Sequence, residues 1–185
     1  MSKNSKPPRG ALADPTKLKP FPKKSDQIRV VIETPKGSRN KYAFDPKQKI
    51  FELKAVLPAG MEFPYDFGFV PQTQADDGDP VDVLVLMEEP VFAGCMISCR
   101  LIGVIEGEQE DQKKKQRNDR LVAVEQGCKV YSEVKDVKDL PRELIRHVGE
   151  FFVNYHRLEG KKFRMLGVKG PDVARRLIEK QRVAA

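Results

Sequence analysis

Asp76-Asp77-Gly78-Asp79-Pro80-Val81-Asp82 runs directly into Val83-Leu84-Val85-Leu86, so four carboxylates fall within seven residues ahead of an unbroken apolar stretch. Carboxylates this close repel one another. A fold keeps them together when a hard divalent cation, which prefers oxygen ligands, shares them. Gly78 permits a tight turn, and Pro80 fixes a backbone angle just ahead of the strand. Asp82 then opens that strand, with Asp77 and Asp79 on the turn before it. The stretch reads as a metal site at a strand mouth. The same residues are also ordinary loop chemistry, and on this stretch alone both readings stand. An EF-hand does not: the Glu it needs at the twelfth position of a loop beginning at Asp77 is Glu88, but the run Val83 to Met87 is apolar and lacks the oxygen donors of a calcium loop.

Outward from this turn the pattern is mostly β. Gln27 to Thr34, Asn40 to Phe44, Ile50 to Val56, Val81 to Met87, Met96 to Glu106 and Leu121 to Val124 are the predicted strands, with turn signals at Pro35-Lys36-Gly37, Glu88-Glu89-Pro90 and Gly94. Short strands at this spacing favour a small barrel over alternating βαβ units. Helices come late. Asp139 can cap and Pro141 fits an early position. Leu144, Val148, Phe151, Tyr155 and Leu158 follow at heptad-like spacing to a stop at Gly160. A second helix is expected from Gly170-Pro171-Asp172 through Ala174, Leu177 and Ile178. Both apolar stripes should pack on the barrel. The chain is therefore predicted to be mainly β with flanking helices.

At 185 residues the chain fits one domain with a sizeable core. The net charge of +7 suggests a nucleic-acid partner, but its distribution argues otherwise. Residues 1–25 carry seven Lys/Arg against Asp14 alone, together with Pro7, Pro8, Pro15, Pro20 and Pro22, and read as a basic flexible arm. Residues 26–185 are the barrel domain and are nearly neutral. A second cluster, Lys113-Lys114-Lys115-Gln116-Arg117, sits in what reads as a polar loop. No basic motif interleaved with aromatics appears, so nucleic acid is not expected. No apolar run approaches the roughly 20 residues of a membrane span, and Met1 to Lys6 have no apolar stretch behind them, so no secretory signal is expected. Cys95, Cys99 and Cys128 form no disulfide framework, which fits a reducing cytoplasm. Cys95 and Cys99 read as small buried hydrophobes.

Other residues could join the acidic turn: Glu33 and Lys41 on the first hairpin, Asp119 and Arg120 before a strand, Tyr155, His156, Lys161 and Lys162 at the end of the long helix. Carboxylates for metal plus Lys, Arg and Tyr donors for anionic oxygen suit metal-assisted phosphoryl transfer to water. Charged residues also commonly face solvent, and spacing alone does not choose between these.

Asp77-Gly78-Asp79-Pro80-Val81-Asp82-Val83-Leu84 resembles the signature of the family I (soluble) inorganic pyrophosphatases. Val31-Ile32-Glu33-Thr34-Pro35 is similar to the family's first strand, and Asn40-Lys41-Tyr42 to its basic partner. Phe63 to Pro71 looks like the segment that leads into the signature. Asp136 to Pro141 and Phe151 to Tyr155 resemble its helical part. The resemblance runs from about Gln27 to Leu158. It implies an OB-like five-stranded closed barrel that hydrolyses pyrophosphate to two phosphates with magnesium (Mg2+), as a homo-oligomer. It further implies that Asp77, Asp82 and Asp119 (or Asn118, if the loop is aligned one place differently) bind metal, and that Glu33 holds a metal on the leaving phosphate. Asp79 would be the base, while Lys41, Arg120 and Tyr155 would steady phosphoryl oxygens. Within the 106–118 loop Glu108, Glu110 or Asp111 would be a further ligand. This chain departs from the pattern at Ala43 (commonly Glu), at Lys54-Ala55 (usually with an Arg), at Phe67 (a tyrosine) and at His156 (a lysine). The altered clamp leaves two alternatives: hydrolysis of another phosphoanhydride such as polyphosphate or a nucleotide, and a weakly active pyrophosphatase-like binding protein.

Overall fold

In a computed structural model the described residues are 14–22 and 25–183. Among them nine strands and two helices succeed one another: β1 (Ile28–Thr34), β2 (Asn40–Asp45), β3 (Ile50–Val56), β4 (Asp66–Phe69), β5 (Asp82–Leu86), β6 (Met96–Asp111), β7 (Lys114–Arg117), β8 (Arg120–Glu125), α1 (Arg142–Leu158), β9 (Lys162–Lys169) and α2 (Pro171–Lys180).

Five strands close into a ring. β1 pairs with β4, β4 with β5, β5 with β8 and β8 with β6, and β6 returns to β1. Only the β5–β8 pairing in this ring is parallel. Closure of this kind satisfies the backbone groups that an open edge would expose. It is the OB-like barrel expected. The continuous apolar run of β5 now has its reason: Val83 and Val85 enter one buried cluster with Ile28, Val30 and Ile178, whereas Leu84 and Leu86 enter another with Phe63, Phe67 and Phe152. Adjacent strand residues point to opposite faces, and here both faces are covered. α2 contributes Ala174 and Ile178 to the first cluster; α1 contributes Val148, Phe152 and Tyr155 to the second. Gly68 lies where β4 crosses β1 so closely that a Cβ would stand 2.1 Å from the Val31 carbonyl oxygen.

Several local readings change. The polar "loop" after Glu106 is a hairpin: β6 continues to Asp111, and Gln112 and Lys113 both take positive φ (47° and 68°) as a two-residue turn into β7. β7 has no apolar pattern, and its pairing leaves Lys115 Nζ 3.1 Å from Glu108 Oε1 across the hairpin. β4 is four residues long and interrupted by Gly68, too short for a periodicity signal. β9, absent from the predicted strands, pairs with the outer half of β6. Asp139 does not cap α1. Its carboxylate closes a capping box with Asp136 around the 3-10 turn Val137–Asp139, and Pro141 takes the N-cap position of α1 instead.

Of the stretch read as an arm, residues 1–13, 23 and 24 lie outside the described residues. Residues 14–22 rest on the domain: Gln72 donates from its backbone N–H to Thr16 and from Nε2 to Lys17, Arg29 N–H donates to Pro20, and Phe21 packs on the cluster that includes Ile178. Among the described residues no helix is long and apolar enough to cross a membrane.

Candidate active site

The acidic turn is built by its own backbone. Ala75 N–H donates to the Asp79 carbonyl at 2.7 Å and Gly78 N–H to the Ala75 carbonyl at 3.0 Å, with Gly78 at φ +95°. Few residues other than glycine tolerate that φ. Asp79 N–H reaches Asp77 Oδ1 at 3.2 Å, which fixes the Asp77 carboxylate over the turn. Asp82 is the first residue of β5, and Arg120 is the first residue of the parallel neighbour β8. Parallel strands start side by side, so these two meet at 3.6 Å.

An open cleft of about 1010 Å³ lies against this mouth. Glu33, Asp77, Asp79 and Asp82 line it together with Lys41, Lys54, Lys161, Arg120 and Tyr155. Glu33 comes from β1, and its Oε1 accepts from the Phe44 N–H at 2.8 Å, docking the β2–β3 hairpin against the barrel. Burial raises the Glu33 carboxyl to about 7, and the Asp82 and Asp79 carboxylates nearby add to the rise. Burial also raises Asp82, to about 6, against the partial relief that Arg120 and Lys41 provide. Asp77 is shifted upward by burial as well. Burial is thus the main cause of these shifts, in a carboxylate wall that shares the cleft with Lys41, Lys54, Lys161 and Arg120. All its free donors are oxygens, the chemistry of a hard divalent cation. Among the described residues no three Asp, Glu, His or Cys side chains converge on one point; the carboxylates line the cleft and do not close around a single spot.

Arg120 is buried between two rings, with its guanidinium carbon 4.3 Å from the Phe152 centroid and 5.0 Å from that of Phe163. Its Nη1 donates to Asn118 at the backbone carbonyl (2.6 Å) and at Oδ1 (2.7 Å), and its Nη2 lies 3.1 Å from His156 Nε2. His156 stacks on Phe163 at 5.1 Å. Burial first and then the Arg120 charge push its imidazole down to about 3. It is therefore neutral. Because Arg120 only donates, Nε2 is the acceptor and the proton sits on Nδ1. His156 thus faces the guanidinium and not the centre of the acidic wall. Tyr155 donates its hydroxyl proton to Glu159 Oε1 at 2.7 Å, and Lys41 Nζ lies 4.9 Å over the Tyr155 ring.

Asp119 does not line this cleft. It follows Asn118 in an extended segment, so the two side chains take opposite sides. Asn118 lines the cleft, and its Nδ2 donates to Gln109 Oε1 at 2.6 Å. Asp119 lines a second, smaller cavity, where it accepts from the Gly107 N–H at 2.9 Å and pairs with Arg117 at 2.8 Å. The same alternation sorts β6. Gln109 and Asp111 line the cleft, whereas Glu108 pairs with Lys115 and Arg164, and Glu110 with Lys162. Among the departures, Ala43, Phe67 and Lys54 line the cleft and Ala55 does not. Gln109 and Glu159 are cleft residues that sequence reasoning missed. Glu159 had one available signal, its i,i+4 spacing from Tyr155 at the end of α1.

The family described as inorganic pyrophosphatase matches residues 30–184. The chain belongs to the inorganic pyrophosphatase family. An inorganic pyrophosphatase of Synechocystis sp. is 40% identical over 163 residues, covering 86% of this chain and 92% of the relative. One from Geobacillus stearothermophilus is 36% identical over 155 residues, covering 82% and 90%. The crystal structure of the inorganic pyrophosphatase from Thermus thermophilus superposes with a TM-score of 0.82 at 30% identity, covering 90% of this chain and 95% of that one. Membership of the inorganic pyrophosphatase family implies a divalent metal cofactor, and the oxygen-only acidic wall of the cleft fits one.

Proposed function

We propose that this chain hydrolyses inorganic pyrophosphate to two orthophosphates with magnesium as the cation. The observation that carries the reading is one cleft lined both by the carboxylates Glu33, Asp77, Asp79 and Asp82 and by the cations Lys41, Lys54, Lys161 and Arg120. A bound divalent cation lowers the pKa of water and offsets charge on phosphoryl oxygens. Asp77 and Asp82 would hold it from the strand mouth, and Glu33 would bind a cation on the side of the leaving phosphate. Asp79, exposed on its turn, takes the proton of the attacking water. The water oxygen bonds to one phosphorus as the bridging P–O bond breaks, and the second phosphate leaves. Lys41, Arg120 and Tyr155 present donors to the anionic oxygens, in a cleft where such charge-assisted bonds are strong.

The same reading places the protein in the cytoplasm as a homo-oligomer. Its support is the three unpaired thiols and the exposure of Val56 (58%) and Phe92 (74%), apolar side chains that a neighbouring copy could cover. The test is phosphate release from pyrophosphate with magnesium and with chelator, beside ATP and tripolyphosphate. Magnesium-dependent release from pyrophosphate alone is expected. Preference for a longer phosphoanhydride would overturn the substrate assignment, and no release would overturn the activity.

A further inference from the structure

Glu159 stands among the donors that the cleft offers to phosphate, and it is itself an anion. Its Oε1 accepts the Tyr155 hydroxyl at 2.7 Å and lies 3.8 Å from Lys41 Nζ; its Oε2 lies 3.6 Å from Lys161 Nζ and 3.7 Å from His156 Nδ1. Two ammonium groups and a phenol thus converge on one carboxylate, the arrangement that would receive the oxygens of a phosphoryl group. The position is unfavourable for a carboxylate on other grounds. Glu159 is the C-cap of α1, where the helix presents free carbonyls and the partial charge is negative. A residue chosen for the helix alone would be cationic or neutral here. His156 Nδ1 is buried without a hydrogen-bond partner, so the carboxylate is not placed to satisfy it. What holds Glu159 in place is the cleft's own donors.

We infer that Glu159 is a tethered competitor: in the substrate-free protein its carboxylate takes the place of phosphoryl oxygens on Lys41, Lys161 and Tyr155, and an incoming phosphate must displace it. This rests on the proposed phosphoryl chemistry of the cleft. The consequence is discrimination by charge. Pyrophosphate, with anionic oxygens on both phosphoryl groups, can displace the carboxylate and still engage Arg120 and the acidic wall through bound cations. A single orthophosphate offers less charge for the same exchange. Glu159 therefore weakens retention of product more than capture of substrate. No part of the fold need move except this side chain, which is about one-third exposed and free to swing toward solvent.

The deciding variant is Glu159→Gln, which keeps an acceptor for Tyr155 and removes the charge. Calorimetric titration with inorganic phosphate in magnesium should show binding about fivefold tighter than wild type or more, the scale of two partly exposed ion pairs. The KM for pyrophosphate should fall, and inhibition by phosphate should strengthen. A residue that merely positions Tyr155 and Lys41 predicts the opposite sign: weaker phosphate and a higher KM. Weaker or unchanged phosphate binding in Glu159→Gln overturns the inference. Glu159→Ala, which also frees the Tyr155 hydroxyl, must tighten phosphate in the same direction; failure to do so overturns it equally. Wild-type hydrolysis measured alongside separates the two proposals. An inert wild type refutes the activity, while the phosphate isotherms still decide the role of Glu159.

Discussion

The guanidinium of Arg120 lies 3.1 Å from Nε2 of His156, so a buried cation donates to a neutral imidazole at the base of the cleft. Asn118 takes the other arm of the guanidinium, and Asp82 balances part of its charge. A lysine at position 156 would set a second cation against Arg120. The histidine supplies an acceptor without charge, and Lys161 presents an ammonium to the cleft from just beyond the helix.

This neutrality has a pH signature. The His156 pKa is about 3 in the folded protein and close to 6.5 in the unfolded chain. Between those values the unfolded chain binds the extra proton, so the His156 contribution to stability is full above about pH 6.5 and is lost as pH falls toward 3. His156→Gln keeps an acceptor for Arg120 and does not titrate. Its stability, followed by urea unfolding, should decline less between pH 6.5 and 4 than that of wild type. Identical slopes would show that His156 is protonated in the folded protein.

Asp79→Asn should lower kcat by about 10²–10⁴-fold, the usual contribution of a general base. The concentration of magnesium that gives half-maximal activity should hardly change, because Asp77 and Asp82 keep their charge. Steady-state rates across a magnesium titration check both parts, and near-wild-type turnover would remove Asp79 as the base.

Asn118 and Asp119 face different cavities, which separates two neighbouring substitutions. Asp119→Asn loses an ion pair with the partly exposed Arg117, so stability should change by no more than about 1 kcal/mol and metal activation should stay as in wild type. Asn118→Asp adds a carboxylate within the cleft, beside Arg120, and should lower the magnesium concentration needed for activity. Metal titrations that respond to Asp119→Asn and not to Asn118→Asp would reverse this placement.

Gly68→Ala should destabilise the barrel by about 3 kcal/mol, the upper part of the usual overpacking range. The added Cβ meets Val31 backbone oxygen at 2.1 Å, and neither strand of a closed ring can retreat without opening a neighbouring pair. For a chain of this size the melting temperature should drop by roughly 6–12 °C. A drop below about 2 °C would mean that β1 and β4 are not held this tightly.

Much of the barrel could be read in advance where strands had a clear apolar pattern, as β1, β5, β6 and β8 did. β4, β7 and β9 escaped because their stability is borrowed. β4 is four residues around a glycine, β7 is Lys-Lys-Gln-Arg, and β9 forms along an edge that exists only because β6 runs 16 residues. In the site, Glu33, Lys41, Asp77, Asp79, Asp82, Arg120 and Tyr155 were each named from residue type and resemblance, and the fold brings all of them to one cleft.

The sequence by itself determined the acidic turn, since Gly78, Pro80 and the spacing of Asp77, Asp79 and Asp82 act within seven residues and need no distant partner. It also determined the inventory of opposite charges and the β-rich pattern that accommodates them. Only the tertiary structure decided which member of a neighbouring pair faces the cleft, Asn118 over Asp119 and Asp111 over Glu110. In extended chain, one residue of register reverses the side, and register is set by the β6–β7 hairpin turn and by long-range pairing of β6 with β8 and β9. The same holds for Glu159, whose place between Lys41 from β2 and Lys161 beyond α1 exists only once the helix is docked on the barrel.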